Sequence, residues 1–166
     1  LFTFIAPGGD IFSREALGAM EALHARFGEV KSAVAVGSLV NRRLNAVDEL
    51  IYNRQYLLPP LDTLSDSDLA DIRDIALVDE DLVKSQLARD GDMALAVLKY
   101  RPATDELTER LGVARSVVAL RDRLREDYPD VEIYALGNLC TNVRNAERQR
   151  HGTQPHRPHR PHRPPP

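Results

Sequence analysis

The run Met93-Ala94-Leu95-Ala96-Val97-Leu98 constrains this chain more than any other stretch. A short unbroken apolar run beside a turn signal reads as a buried strand. Asp90-Gly91 supplies the signal, because a tight primed turn needs residues that accept positive φ. The spacing predicts a hairpin, with Ser85 to Arg89 as the partner strand or as the edge leading into it. A strand–helix–strand unit then lies upstream of the hairpin and a helix–strand unit downstream.

Upstream, Leu1 to Ala6 is rich in β-formers and predicts a first strand. Pro7-Gly8-Gly9-Asp10 breaks it. Ser13 stands where an N-cap belongs, with Glu15 suited to the helix dipole in the first turn. Leu17, Met20, Leu23, His24 and Phe27 follow at helical spacing. Gly28 closes that helix as a C′ residue. Val30 to Val40 holds a second buried strand, centred on Ala33 to Val36. The crossover of this βαβ unit is expected to be right-handed.

Residues 41–84 read as an excursion with short helices. Leu44, Val47, Leu50 and Ile51 suit a short helix, and Pro59-Pro60 forces an extended stretch. Ser65 or Ser67 caps a helix carrying Leu69, Ile72, Ile75 and Ala76, and a further helical turn runs from Glu80 to Lys84. After the hairpin, Thr104 and Asp105 are cap candidates for the longest helix, which reaches about Asp127. Leu107, Leu111, Ala114 and Val118 form one stripe, and Val113, Val117, Leu120 and Leu124 a second, as on a helix lying over a sheet. Val131, Ile133 and Ala135 alternate with Glu132 and Tyr134 in a last strand with one wet face. The predicted class is α+β: a ferredoxin-like split βαβ two-layer sandwich, an antiparallel sheet with helices on one face.

Charge narrows the partners. Residues 147–166 carry about +4, which leaves about −7 on the rest of a chain whose formal charge is −3. An acidic body does not attract nucleic acid. The single cysteine, Cys140, permits no intrachain disulfide and reads as a small apolar filler. No apolar run approaches the ~20 residues of a membrane helix. Residues 1–142 read as the domain. Residues 143–166, with their His-Arg-Pro repeat, read as a disordered tail of non-native coding. Its histidines, evenly spaced in a cationic chain, are not expected to form a defined metal site. The start at Leu1 reads as a piece cut from a longer protein.

No catalytic constellation is visible. His24 lies on an apolar stripe and reads as an imidazole bonded to backbone. The acidic cluster from Asp62 to Asp81 lacks the spacing of a calcium loop and reads as helix-start charge. Gly8-Gly9 lacks the lysine and further glycines of a phosphate loop. No enzyme activity, cofactor or metal is expected. Tyr52, Tyr56, Leu57 and Leu58 are apolar without amphipathic period. They are the expected exposed contact surface for a substrate.

Four segments in order carry a resemblance. They are Leu1–Ile5 with Gly9-Asp10-Ile11-Phe12-Ser13 and its helix, Val30-Lys31-Ser32-Ala33-Val34 with Ser38-Leu39, Leu87 to Leu95 around Asp90-Gly91, and Ile133 to Asn138. Together they resemble the extracytoplasmic porter domain of resistance–nodulation–division (RND) transporters, in the lipid-exporter-like branch labelled MMPL. The likeness spans roughly residues 1–142. From Thr141 onward the chain departs from it, because the family continues there into a helix that leads to the next membrane span.

The resemblance implies a periplasmic domain of a bacterial inner-membrane pump driven by proton flux. Such a domain binds and guides hydrophobic or amphiphilic molecules, lipids such as a hopanoid or sterol. Its partners would be the transmembrane domain and a second porter domain of the parent, or further copies in a homo-oligomer. The proton-carrying acids of such a pump lie in its membrane helices, so this segment alone would have no turnover. The other reading the residues allow is a stand-alone ferredoxin-like small-molecule-binding or regulatory domain that dimerises through its sheet.

Overall fold

Ser13 starts the first helix as its sequence position predicts: its Oγ accepts the Ala16 N–H at 3.3 Å. The computed structural model describes residues 1–6, 8–44, 55–104 and 106–137. β1 (Phe2–Ile5) ends in a turn where Gly9 takes a φ of 74° and its N–H closes on the Ala6 carbonyl at 2.9 Å. α1 (Arg14–Arg26) follows and buries Leu17, Met20 and Leu23. Gly28 is not a left-handed cap. The chain tightens into a 3-10 turn over Phe27–Glu29, closed by the Val30 N–H on the Phe27 carbonyl, and no positive φ is required there.

β2 (Ala33–Gly37) enters through Ser32, which sits at a φ of 61°. Lys31 and Ser32 tie this entry to Glu109, and the Lys31 N–H donates to Ser116 Oγ at 3.0 Å. The Lys31 ammonium and the Ser32 hydroxyl hold the Glu109 carboxyl below its ordinary range.

The excursion packs along α1. Ser65 caps α2 (Asp66–Val78) in a reciprocal box with Asp68, and Asp79 caps α3 (Glu80–Ser85), its Oδ1 accepting the Asp81 and Leu82 N–H groups at 2.9 Å. Arg14 reaches from α1 to Asp66 and to the Leu61 and Leu64 carbonyls. Leu69, Ile72, Ala76 and Leu82 are buried. The expected helix around Val47 to Ile51 falls in residues 45–54, outside the described residues.

The predicted hairpin is reduced. α3 uses the chain as far as Ser85, so the partner strand shrinks to the single antiparallel bridge Leu87↔Ala94. The turn is not a two-residue primed turn. Of its residues Gly91 alone takes positive φ, at 70°, a conformation in which a side chain would be strained. The Gly91 N–H bonds the Ala88 carbonyl, and the Ala88 N–H bonds the Met93 carbonyl, which leaves a four-residue loop. This loop also organises the neighbouring turn: the Ile11 N–H donates to the Gly91 carbonyl at 2.8 Å and the Ala6 N–H to the Asp92 carbonyl at 3.0 Å.

β3 (Met93–Tyr100) leads to α4 (Leu107–Asp127) and β4 (Glu132–Ala135). Glu106 precedes α4 without a side-chain cap, so Thr104 does not cap it, and Asp105 lies outside the described residues. Leu107, expected on the buried stripe, is 67% exposed. A 21-residue helix is about 31 Å long, and the four residues of β4 span about 13 Å. The first turn of α4 therefore overhangs the sheet.

The four strands form one antiparallel sheet in the order β2-β3-β1-β4. Register puts Phe2 opposite Ala96 and Ala135, and Phe4 opposite Ala94 and Ile133. These residues make the floor of the core, and α1 and α4 pack on each other and on the sheet above it. The α+β arrangement is compatible with a two-layer sandwich. Both edges are blunted, as exposed edges must be to avoid pairing with other chains. On β2 a register shift between Ala33 and Ala35 throws out Val34. On β4 the Arg125 Nε donates to the Ile133 carbonyl at 2.6 Å.

Thr3 is 5% exposed and its Oγ1 has no hydrogen-bond partner among the described residues. A buried hydroxyl without a partner costs roughly 1–3 kcal/mol. Thr3→Val keeps the shape and removes the hydroxyl, so it is expected to raise stability by about 1 kcal/mol. Urea denaturation checks this; a loss of stability would mean that the hydroxyl is bonded.

Candidate functional site

The sheet face turned away from α1 and α4 carries a partly exposed apolar patch. Strand alternation assigns Thr3, Ile5, Met93, Leu95, Val97, Glu132 and Tyr134 to it, because their neighbours along each strand, Phe2, Phe4, Ala94, Ala96 and Ile133, point into the core. Leu1 joins the face through two backbone bonds with Leu136, at 3.1 and 2.8 Å. Leu1, Val97 and Tyr134 are each 40% exposed and Leu136 is 51% exposed. Four large apolar side chains on one sheet face, with half-buried Ile5, Met93 and Leu95 between them, form a patch rather than scattered surface residues. Met93–Leu98, expected to be buried throughout, is therefore buried on one face only.

The rim at β4 is polar and ordered. The Tyr134 hydroxyl donates to Glu132 at 2.8 Å, and the Arg125 guanidinium lies 5.2 Å from the Tyr134 ring centre. The hydrogen bond to the Glu132 carboxylate, followed by the charge beside it, raises the Tyr134 pKa above the ordinary phenol value. The ring is held by both neighbours and presents its apolar body at the patch margin.

The residues expected to form the contact surface do not come together as one. Tyr56 is exposed and pairs across a bridge with Arg43, whose guanidinium lies 5.9 Å from the ring centre. Leu57 and Leu58 are 2% and 8% exposed and belong to the core. The Leu57 N–H bonds the Arg42 carbonyl, and the chain bends at both leucines, so consecutive side chains turn inward and neither strand nor helix period applies. Tyr52 lies outside the described residues.

His24 bonds a side chain instead of backbone: its Nε2 stands 2.8 Å from Ser38 Oγ. A serine beside a histidine invites comparison with an activated nucleophile. Here the hydroxyl also accepts the Val40 N–H at 3.2 Å, and Ser38 is 1% exposed. The pair fastens α1 to the end of β2. Burial lowers the His24 pKa below its ordinary value. The unfolded chain then takes up its proton at a higher pH than the folded one. Stability is expected to fall as pH drops through the unfolded histidine value near 6.5 and to level off below the folded value. His24→Gln is expected to remove that slope in urea titrations between pH 8 and pH 5; an unchanged slope would mean that another group carries it.

Comparison with family models, curated proteins and solved structures finds no match. The partly exposed apolar sheet face is the candidate site. Alternation in β4 had marked Tyr134 as outward. The remaining members sit in apolar strands whose composition does not separate a bare face from a covered one. Several acidic residues of the excursion serve as caps or in ion pairs: Asp68 and Asp79 cap, and Asp66 pairs with Arg14. No helix among the described residues is long and apolar enough to cross a membrane.

Proposed function

We propose that this chain is the periplasmic substrate-binding and conduit domain of a proton-driven RND-family inner-membrane transporter of the MMPL type, one that moves hydrophobic or lipid-like molecules such as a hopanoid or sterol. The bare apolar sheet face is the observation that carries this reading. A conduit for molecules that it does not alter needs an accessible greasy wall on a rigid support. The strand order β2-β3-β1-β4, all neighbours antiparallel, is compatible with a ferredoxin-like split βαβ sandwich and in that way supports the reading. Such a unit hinges as a rigid body against a second copy, and a cleft between the two opens and closes.

The gene on either side of this segment gives the first test. Apolar stretches of ~20 residues are expected on both flanks; a gene without them would contradict the transporter reading. The same bare face also favours a second reading, a stand-alone ferredoxin-like binding or regulatory domain that dimerises through its sheet. Light scattering separates the two. A monomer that binds a neutral apolar reporter supports the conduit. A dimer that excludes the reporter supports the stand-alone domain.

A further inference from the structure

The end of β2 opens into a pocket of about 380 Å³, lined by Ala35 to Ser38, Asn41, Arg42, Arg43, Gln86 and Lys99. The side chains of Asn41 and Ser38 in its wall are already bonded. Asn41 accepts the Ser38 N–H at 2.9 Å and donates to the Val36 carbonyl at 2.9 Å, and Ser38 Oγ serves His24 and Val40. What remains is cationic. Lys99 has no ion-pair partner among the described residues. Among the described residues Arg43 lies against the Tyr56 ring. Arg42 stands 3.7 Å from Asp79, beyond hydrogen-bond length, and the other oxygen of that carboxylate caps α3. No acid lines the pocket.

We propose that this pocket is an oxyanion site for a phosphate-bearing ligand, which is either a soluble phosphorylated small molecule or a phospholipid headgroup. Three cations from two segments, Arg42 and Arg43 after β2 and Lys99 on β3, line the pocket in a chain whose body is acidic. Like charges at one place repel, and a bound dianion relieves that repulsion. The planar forks of two arginines suit phosphate oxygens, with Lys99 as a third point charge. The volume falls in the range of small-ligand pockets, roughly 300–1,000 Å³, which admits a phosphorylated head but no acyl chain. Lys99 lies two residues from Val97 on the same strand face, so the pocket opens at the rim of the apolar patch. That continuity is why a lipid source enters the test. The inference is independent of the transporter reading and stands or falls on different data.

The test uses the full chain in two arms. In solution, inorganic phosphate and glycerol 3-phosphate are titrated, with acetate as the carboxylate comparison. On membranes, phosphatidylcholine vesicles with and without phosphatidic acid are sedimented with the protein. A soluble ligand gives binding in the first arm alone. A headgroup gives retention that depends on phosphatidic acid. In either case Lys99→Gln with Arg43→Gln is expected to weaken binding at least tenfold, Lys99→Gln alone to weaken it several-fold, and Arg115→Gln on the outer side of α4 to leave it unchanged. Both substituted pocket residues are exposed, so circular dichroism is expected to match the parent. No binding in either arm, equal binding by the double variant, or acetate binding as tight as phosphate would overturn the proposal.

Discussion

Phe4→Ala is expected to cost roughly 3–5 kcal/mol, the range for truncating a fully buried phenylalanine. Phe4 is 0% exposed and lies at the centre of the sheet, opposite Ala94 on one side and Ile133 on the other. Two features keep the cost high. Its neighbour on β3 is an alanine that cannot grow into the void. The layer above is built from Leu17, Met20, Leu120 and Leu124, all at most 1% exposed and tied to rigid helices. A cavity that cannot collapse keeps its full penalty. Native domains hold only about 5–15 kcal/mol in total, so the variant should lose most of its stability, with a urea midpoint lower by about 2 M for a slope near 2 kcal/mol per M. A loss below about 1 kcal/mol would mean that the sheet and helices do not meet at Phe4.

Val97→Asp is expected to do the reverse: it should leave folding nearly unchanged and abolish apolar binding. Val97 is 40% exposed on the bare face, opposite Gly37, so a carboxylate there stays hydrated in the free protein. Surface changes of this kind usually fall within about 0.5 kcal/mol. A bound hydrophobic molecule would strip that hydration, and burying an unpaired charge costs several kcal/mol. Binding of the neutral dye Nile red should weaken at least tenfold, about 1.4 kcal/mol. Val78→Asp, at a 77% exposed apolar residue at the end of α2, should leave it unchanged. Equal loss in both variants would show that the dye reads general surface rather than this face.

Much of the frame was legible because local signals and packing agree. Ser13 caps α1, Ser65 caps α2, and the second stripe of α4, from Val113 to Leu124, is the buried one. Local signals failed where a second constraint competed. Asp90-Gly91 did mark a turn, but capping by Asp79 carries α3 through Ser85 and removes the strand that a two-residue hairpin needs. Leu107 obeyed helical period and still emerged exposed, because period says nothing of how far the sheet extends beneath a helix. Tyr56-Leu57-Leu58 had no period, and absence of period signals a bend rather than a surface. The cationic pocket had no local signature. Arg42 and Arg43 follow β2 and Lys99 lies within β3, and the pairing of those strands brings them to one place.

One measurement bears most directly on the bare sheet face as the working surface. The unmodified chain is irradiated with a neutral sterol carrying a photoactivatable group, and the adducts are located by mass spectrometry. Labelling concentrated in 93–100 and 132–135, the two strands that carry Val97 and Tyr134, is the predicted result. Labelling confined to α1 and α4, or spread evenly along the chain, would contradict it.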